Sequence, residues 1–303
     1  MDLILNTMHG SNNKLIKKDN KIQFCHISPV NILNNVSVFN DSHLILAHLV
    51  ESNKDYRDFY KNVKVDANAE KIMDNSAFEM FKNGQPMYDS KQLVELGKLC
   101  NATTLVLSDY PKEDWKKTKE SAEVLIPIFK QNGFKTFYVP QSELGDLNGY
   151  IKSVMWALKN PNIDYIGLSI LGCPIALGLE EKQYNTKYDE AYKMQRFLAR
   201  WKILQYIENA ANSHFIGHTM VKRFHCLGLV DGPEEIKLLE NYHNYIKSWD
   251  SSSAVWAGLN NIRYDNSPTG LRMGKFENEV DFDSDLNYNN LIEWNVKYIS
   301  GLL

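Results

Sequence analysis

The chain has 303 residues, of which 44% are hydrophobic and 23% charged, and its formal net charge is −3. These proportions are typical of a globular protein with a large core and exclude a disordered chain. No stretch approaches the roughly 18 apolar residues that a membrane helix needs. The N-terminus turns polar and basic after a short apolar run, unlike a signal peptide, and four cysteines occur without a CxxC pair. We therefore expect a cytoplasmic protein that neither crosses nor binds a membrane.

Eight short apolar runs, separated by helix-like segments, organise the sequence from end to end. In chain order they are IQFCHI (22–27), HLILAHL (43–49), KIMDNS (71–76), TLVLSD (104–109), TFYVPQ (136–141), YIGLSI (165–170), FHCLGL (224–229) and SWDSSS (248–253). Apolar runs without polar alternation are typical of strands that are buried on both faces of a parallel sheet. Eight strand–helix repeats predict a (β/α)₈ TIM barrel, a single domain over residues 1–303.

The segments between these runs carry helix start and stop signals. Asp89 or Ser90 is suited to cap one helix, a second is expected to end at Gly133, and a third opens with Pro233 and two glutamates. These signals support the strand–helix alternation.

The longest connection, between the sixth and seventh runs, contains a row of basic residues. Lys193, Arg196 and Arg200 share one face of a predicted helix, and apolar residues including Met194 share another. One interpretation is the solvated face of a barrel helix; the other is a surface that contacts nucleic-acid phosphates. Both require the basic row to be exposed.

Polar residues at the predicted strand ends are the candidates for chemistry, because barrel active sites lie at the C-terminal ends of the strands. They are Asp74, Asp109, Gln141, Ser169 with the nearby Gly172, and Asp250. A single aspartate at such a position is often a helix cap. Three carboxylates and an amide at one mouth predict an active site.

Several of these residues belong to an ordered set of motifs. The set is DNSAFE (74–79), LSDYP (107–111), VPQS (139–142), GLSILGC (167–173), LGLVDGPEEI (227–236) and SWDSSS (248–253). In order and approximate spacing it resembles the tRNA-guanine transglycosylase superfamily, over residues 70 to about 255. Within that superfamily it is most similar to phage-encoded enzymes that place 7-deazaguanines in DNA.

The resemblance implies roles for two carboxylates. Asp250 matches the nucleophile that attacks the anomeric carbon and carries a covalent glycosyl intermediate. Asp74 matches the general acid/base that manages the proton on the glycosidic nitrogen. Two inversions would give net retention, as in two-carboxylate retaining glycosidases.

The resemblance also implies a pocket for the base. Asp109 matches the carboxylate that reads the ring N–H and exocyclic amine of guanine, and Gln141 and the Gly172 N–H match donors to its carbonyl. Phe78 matches an aromatic wall, with Leu227 opposite it. Ser169 completes the predicted substrate-binding set.

The family's zinc site, CxCxxC followed by a distant histidine, has no counterpart in this sequence. The group His214, His218, His225 and Cys226 has poor spacing for a metal, so structural or substrate-facing histidines are expected there. The resemblance therefore implies a barrel without the C-terminal zinc subdomain, with no metal and no cofactor. A compact relative of this kind favours DNA over tRNA.

The expected function is exchange of guanine in DNA for a free 7-deazaguanine base. One alternative is the same exchange in tRNA; another is a non-catalytic barrel that binds nucleic acid or a partner protein. A further alternative is an unrelated barrel enzyme acting on a small molecule. Nucleotide-binding motifs of the GxxxxGK[ST] and GxGxxG types are absent. The sequence leaves open whether the chain acts as a homodimer or with a partner subunit.

Overall fold

The chain folds as a (β/α)₈ barrel, as its sequence predicts; the computed structural model describes residues 21–76, 88–179, 190–213, 222–230, 232–266, 282 and 285–303. The strands are β1 (Gln23–His26), β2 (His43–Leu46), β3 (Lys71–Asp74), β4 (Thr104–Val106), β5 (Lys135–Tyr138), β6 (Tyr165–Ser169), β7 (Phe224–Leu227) and β8 (Ile246–Ser251). All pair in parallel in the order β1-β8-β7-β6-β5-β4-β3-β2, so the sheet curls into a nearly closed barrel.

Helices cover the outside of this sheet. Those in the described residues are α1 (Leu33–Ser37), α2 (Ala47–Ser52), α3 (Lys54–Asn62), α4 (Ser90–Leu99), α5 (Trp115–Gln131), α6 (Leu147–Lys159), α7 (Gly172–Ala176), α8 (Glu190–Phe197), α9 (Ala199–Ser213), α10 (Pro233–Leu238), α11 (Ser253–Leu259) and α12 (Asn290–Ser300). The side chain of Asp89 caps α4 by accepting the N–H of Gln92, and Gly133 follows α5 with a φ of 83°. Both are positions that the sequence signals predict.

A side chain bridges the seam between β1 and β2, the two ends of the hydrogen-bonded ladder. Asn40 Oδ1 accepts the backbone N–H of His26 at 2.7 Å, and its Nδ2 donates to the His26 carbonyl at 3.1 Å. The carboxamide thereby occupies the hydrogen-bonding groups that a neighbouring strand would otherwise satisfy. Ser42 adds a second link, because its hydroxyl donates to Gln23 Oε1 at 2.8 Å.

Alternating side chains along the strands form two apolar layers. The inner layer, which fills the barrel, consists of Cys25, Leu44, Ile72, Val106, Phe137, Val139 and Tyr165. The larger outer layer lies between the sheet and the helices. Strands that are buried on both faces have this arrangement, and it explains why their sequences read as continuous apolar runs.

The N-terminal end of the barrel is closed by a polar cluster around Glu70. Its Oε1 accepts from Lys135 Nζ at 2.6 Å and from the Tyr165 hydroxyl at 2.5 Å, and Lys247 Nζ lies 3.8 Å away. Its Oε2 accepts from Thr104 Oγ1 at 3.0 Å. Burial alone would raise the pKa of Glu70, but the hydrogen bonds from Lys135 and Tyr165 outweigh it and lower this pKa.

Candidate active site

The predicted polar residues lie at one mouth of the barrel. Asp74 is the last residue of β3, Ser169 the last of β6, and Asp250 lies near the end of β8. Asp109 and Gln141 follow β4 and β5 by three residues, so they stand on loops rather than on strands. Because every strand is parallel, all five belong to the C-terminal end of the barrel. Phe78 lies outside the described residues.

Asp109 is the centre of a buried network on one side of this mouth. The residue is 8% exposed, its Oδ1 accepts from Asn75 Nδ2 at 3.0 Å, and its Oδ2 accepts from Gln141 Nε2 at 2.7 Å. Asn75 Nδ2 also donates to the Leu107 carbonyl at 3.1 Å, which fixes the orientation of its amide. Three successive strand ends, those of β3, β4 and β5, therefore meet at one carboxylate.

The charge of Asp109 is solvated by amides and not by a cation. Burial raises the pKa of Asp109, and the hydrogen bonds from Asn75 and Gln141 only partly oppose this effect. Among the described residues, no lysine, arginine or histidine forms an ion pair with it. The other amide oxygen of Gln141, Oε1, is buried and has no hydrogen-bond partner there. The network thus holds more acceptor capacity than the protein itself uses.

Asp250 occupies the other side of the mouth and is held by a histidine. Its Oδ1 accepts from His225 Nε2 at 2.8 Å, and the Gly228 N–H approaches the same oxygen at 3.4 Å. His225 is fully buried, and its Nδ1 lies 2.7 Å from Ser248 Oγ. In the neutral tautomer with a proton on Nε2, the Ser248 hydroxyl donates to Nδ1 and the ring donates to Asp250. Asp250 Oδ2 receives no hydrogen bond from the described residues.

The order of this Ser248–His225–Asp250 chain decides which of its members can react. Ser248 precedes Asp250 by two residues on β8, so both point into the barrel and the hydroxyl lies deeper. A serine nucleophile would need the opposite order, with its hydroxyl facing substrate and its carboxylate behind the histidine. Here the carboxylate lies closest to the mouth, which is the arrangement that an aspartate nucleophile requires.

Asp74 lies on β3, and its Oδ2 accepts the N–H of Ser76 at 3.1 Å. Ser76 has a φ of 52°, in the left-handed region that non-glycine residues rarely adopt. The Ser76 hydroxyl in turn lies 3.0 Å from His48 Nδ1, on the helix that follows β2. The turn after β3 is therefore fixed by side chains around the carboxylate.

The Gly172 N–H donates a hydrogen bond to the Ser169 hydroxyl. Ser169 Oγ accepts the N–H groups of Leu171 at 3.0 Å and Gly172 at 2.8 Å, in the turn that leads into α7. The Gly172 N–H was predicted to donate to a base carbonyl, but Ser169 already engages it here. Likewise Gln141 Nε2, the other predicted donor, is directed at Asp109. The structure thus gives these two donors partners within the protein.

Leu227, which was predicted to form an apolar wall of the base pocket, lies at the end of β7. Its Cδ1 would be 2.8 Å from a Cβ at Gly167, so the side chain lies inside the barrel against the neighbouring strand β6. Phe137 fills the other side of the same glycine. Leu227 is only partly buried, and it borders the mouth next to Asp250, its register partner on β8.

The prediction of an exposed basic row was wrong for two of its three members. Arg196 is 7% and Arg200 2% exposed, whereas Met194, assigned to the apolar face, is 46% exposed. Arg196 Nη2 donates to the Ile170 carbonyl at 3.2 Å, so its guanidinium satisfies the backbone beyond β6. The prediction assumed that cations are solvated, but arginine is buried where carbonyls and a carboxylate pair with it. Of the row, only Lys193 stays partly exposed.

Sequence reasoning gave no role to two residues of the site, Asn75 and Ser248, and it named His225 only as a structural or substrate-facing histidine. Asn75 follows Asp74 directly within the motif DNSAFE, but the resemblance assigns it no role. His225 and Ser248 could have been found by strand periodicity, because each lies two residues before a mouth residue, Leu227 and Asp250 respectively.

The histidine–cysteine group does not come together as a metal site within the described residues, where no cluster of three or more metal-ligating side chains occurs. His225 instead contacts Asp250 and Ser248. Cys226, its neighbour, is buried in the outer apolar layer. His214 and His218 lie outside the described residues.

A cleft of about 580 Å³ lies on the outside of the barrel, along α8 and α9. Its lining includes Leu179, Gln195, Trp201, Tyr206 and Tyr242, and none of the mouth residues. None of the helices in the described ranges is long and apolar enough to cross a membrane.

No protein-family model and no curated protein matches this chain. Any functional assignment therefore depends on the mouth residues and on the order of their motifs.

Proposed function

We propose that this protein is a base-exchange transglycosylase that replaces guanine in a polynucleotide, DNA in the first instance, with a free 7-deazaguanine base. The observation that carries the proposal is a pair of buried carboxylates at one barrel mouth, Asp109 and Asp250. Each is held by hydrogen bonds, and neither is neutralised by lysine or arginine among the described residues. Such carboxylates are held in place without a lysine or arginine partner, so they retain acceptor capacity for a ligand. The class of reaction is proposed from the ordered motifs between DNSAFE and SWDSSS, which resemble those of the tRNA-guanine transglycosylase superfamily.

In the first half of the reaction, Asp250 Oδ2 attacks the anomeric carbon as the bond to guanine N9 breaks. A glycosyl ester forms on Asp250, and guanine leaves with a proton supplied by Asp74. The hydrogen bond from His225 to Oδ1 orients the attacking carboxylate. It also stabilises the charge that returns to Asp250 when the ester is cleaved.

In the second half, the 7-deazaguanine N9 attacks the same carbon and displaces Asp250 as a free carboxylate. The proton on the incoming N9 passes to Asp74, which is then ready for another cycle. Each half inverts the anomeric carbon, so the β-configuration is retained. Bonds and protons balance without a metal or an external oxidant.

Asp109 supplies base recognition in this scheme. An ionised carboxylate accepts both the ring N–H and the exocyclic amine of a guanine edge, and its two oxygens retain lone pairs beyond those used by Asn75 and Gln141. Adenine presents an unprotonated ring nitrogen at the same place. The buried carboxylate would be left facing this lone pair, which disfavours adenine.

The proposal predicts that Asp250→Ala abolishes base exchange, by about 10⁴-fold or more, because none of the described residues is positioned as a second nucleophile. The assay feeds labelled 7-deazaguanine to cells expressing the protein and analyses nucleosides from DNA and from tRNA by mass spectrometry. Purified protein is also tested for a denaturation-resistant adduct with a guanine-containing oligonucleotide. Asp58→Ala, which removes an exposed carboxylate on α3 paired with Lys54, is the matched control and should exchange normally.

The outcomes separate the alternatives. Label in DNA, lost in Asp250→Ala, supports the proposal, whereas label in tRNA alone assigns the same chemistry to tRNA. Nucleic-acid binding without label or adduct would indicate a non-catalytic barrel. Exchange that continues in Asp250→Ala would contradict the mechanism.

A further inference from the structure

A buried ion pair lies directly behind the residues that border Asp250. Arg200 on α9 and Glu235 on α10 are 3.0 Å apart through Nη1 and Oε1, and both side chains are excluded from solvent. Arg200 Nη2 also donates to the Leu227 carbonyl at 2.8 Å, and both Nη atoms reach the Gly228 carbonyl at 3.2 Å. One guanidinium thus binds the last carbonyl of β7 and the carbonyl that follows it.

The same short segment is held from other directions. Glu235 Oε2 accepts the N–H of Val230 at 2.9 Å, so both members of the ion pair bind the backbone of residues 227–230. Trp249 Nε1 donates to the Gly228 carbonyl at 2.8 Å, and the Arg200 guanidinium lies 5.3 Å from the Trp249 ring centroid. The Gly228 carbonyl therefore has three donors, more than its two lone pairs need.

What this segment presents to the mouth is the N–H of Gly228 and the side chain of Leu227. Gly228 has a φ of 75°, and a Cβ there would lie 2.9 Å from Ile170 Cδ1, so the turn depends on glycine. Its N–H approaches Asp250 Oδ1 at 3.4 Å, which is long for a hydrogen bond. A small displacement of the segment would lose this contact or shorten it.

We infer that Arg200 and Glu235 are positioning residues, an ion-pair clamp that fixes the segment 227–230 so that the Gly228 N–H and the Leu227 side chain face Asp250. The inference rests on the proposed function for its catalytic consequence. The placement of the Gly228 N–H against Asp250 by the ion pair does not depend on that function. Arg200 was predicted to bind phosphate on an exposed helix face; the clamp gives it a different role, behind the barrel mouth.

Stability alone does not account for the pair. Burying two charges removes them from water, and replacing a buried ion pair with uncharged residues of similar size is often neutral for stability. Breaking only one partner is damaging, because the other charge is left unpaired. The decisive variant must therefore remove both charges together and keep their volume.

The test uses the double variant Arg200→Met/Glu235→Gln, which removes both charges of the pair and keeps an acceptor for the Val230 N–H. We expect kcat for base exchange to fall at least tenfold while KM for the free base stays within twofold, because the Asp109 pocket is untouched. Arg200→Lys keeps the charge but cannot bind both carbonyls and Glu235 together, so its kcat should be intermediate. Arg57→Met, which removes an arginine bound to the Val50 carbonyl in α2, is the control and should match the wild type.

A measurement that needs no activity is the ¹H–¹⁵N signal of the Gly228 amide. Asp250→Asn should shift this signal in the wild-type background and shift it far less in the double variant, since the clamp no longer holds the amide against Asp250. If the shift is unchanged and kcat is retained, the clamp is refuted. Should the double variant fail to fold, the same comparison in Arg200→Lys decides. If the wild type exchanges no base, the proposed function fails, and the amide signal still tests the clamp.

Discussion

At the N-terminal end of the barrel, Glu70 accepts hydrogen bonds from Lys135, Tyr165 and two threonines, whereas Asp109 at the mouth accepts from two neutral amides. Both carboxylates are buried, yet the pKa of Glu70 is lowered and that of Asp109 is raised. The difference lies in the partners, because cations stabilise a buried carboxylate far more than amides do. At the N-terminal end of the barrel, the charge of Glu70 is compensated by its partners, whereas at the mouth the charge of Asp109 is compensated only in part.

Asp250 resembles Asp109 more than Glu70. Its partners are His225 and the Gly228 N–H, and the buried Arg200 nearby is paired with Glu235 behind the strand. Buried carboxylates whose charge is only partly compensated make the folded protein less stable. They also leave acceptors for a ligand that brings hydrogen-bond donors. The two ends of the barrel should therefore respond oppositely when their carboxylates are neutralised.

The largest effect on stability is expected at the N-terminal end of the barrel, at Glu70. Glu70→Gln leaves Lys247 without its carboxylate, and we expect a loss of about 3 kcal/mol at neutral pH, measured by urea unfolding. A carboxylate with a lowered pKa stabilises the fold above its ordinary pKa of 4.5, and this contribution is lost as the pH falls through the lowered value. The wild type and the variant should therefore converge in acid.

Two comparisons sharpen this first prediction. Glu95→Gln removes an exposed carboxylate that pairs with Lys98 at 2.9 Å, and it should cost at most about 0.5 kcal/mol. The base exchange of folded Glu70→Gln protein should equal that of the wild type. A variant as stable as the wild type would show that the cluster around Glu70 is not a source of stability.

Neutralising the mouth should have the reverse result. Asp109→Asn removes a charge whose burial is only partly compensated, and Gln141 Oε1, without a partner in the described residues, can turn to accept from the new carboxamide. We expect thermal stability at neutral pH to be unchanged or raised by about 2 °C. Because the pKa of Asp109 is raised, the wild type gains on the variant as the pH falls and the carboxylate is protonated.

Function should change in the opposite sense to stability. Losing one charged acceptor should weaken binding of the free guanine-type base by about 10- to 100-fold, with less effect on adenine, as measured by calorimetry. Scanning calorimetry at neutral and acid pH checks the stability part. A melting temperature that drops as far as in Glu70→Gln would contradict the distinction between the two ends.

Much of this architecture could be predicted from the sequence, because parallel strands buried on both faces leave continuous apolar runs. Each of the eight strands overlaps a predicted run, although the run SWDSSS at β8 is mostly polar, and the C-terminal rule for barrels placed Asp74, Asp109 and Asp250 at one end. Helical periodicity failed at Arg196 and Arg200, since no pattern along one helix reveals that carbonyls and Glu235 from other elements meet those guanidinium groups.

The contacts within the mouth were predictable only in part. That Gln141 donates to Asp109, and that Ser169 occupies the Gly172 N–H, depends on loop geometry after β5 and β6, where no period applies. His225 was expected to be a structural or substrate-facing histidine, but its contact with Asp250 could be reached only through strand alternation.

The smallest expected effect tests how the mouth carboxylate Asp250 is oriented. Ser248→Ala removes the hydroxyl 2.7 Å from His225 Nδ1 while leaving the contact between Nε2 and Asp250 in place. Without that hydroxyl, the ring loses the partner that favours a proton on Nε2, and part of the population should place the proton on Nδ1. In that tautomer Nε2 carries a lone pair toward Asp250 Oδ1, which repels the carboxylate. We expect kcat to fall by about 3- to 10-fold, with KM for the base unchanged.

The ¹⁵N spectrum of His225 provides the direct measurement, because the protonated and unprotonated ring nitrogens have well-separated shifts. The Nε2–H tautomer should dominate in the wild type and a mixture should appear in Ser248→Ala. Ser153→Ala is the matched control: that hydroxyl is equally buried and lies 2.7 Å from the Tyr138 hydroxyl, on the helix side of β5 and away from Asp250. It should leave both kcat and the histidine spectrum as they are. An unchanged tautomer in Ser248→Ala with full activity would mean that Asp250 alone orients the imidazole. The chain at the mouth would then begin at His225, and the deeper serine would only fill the barrel.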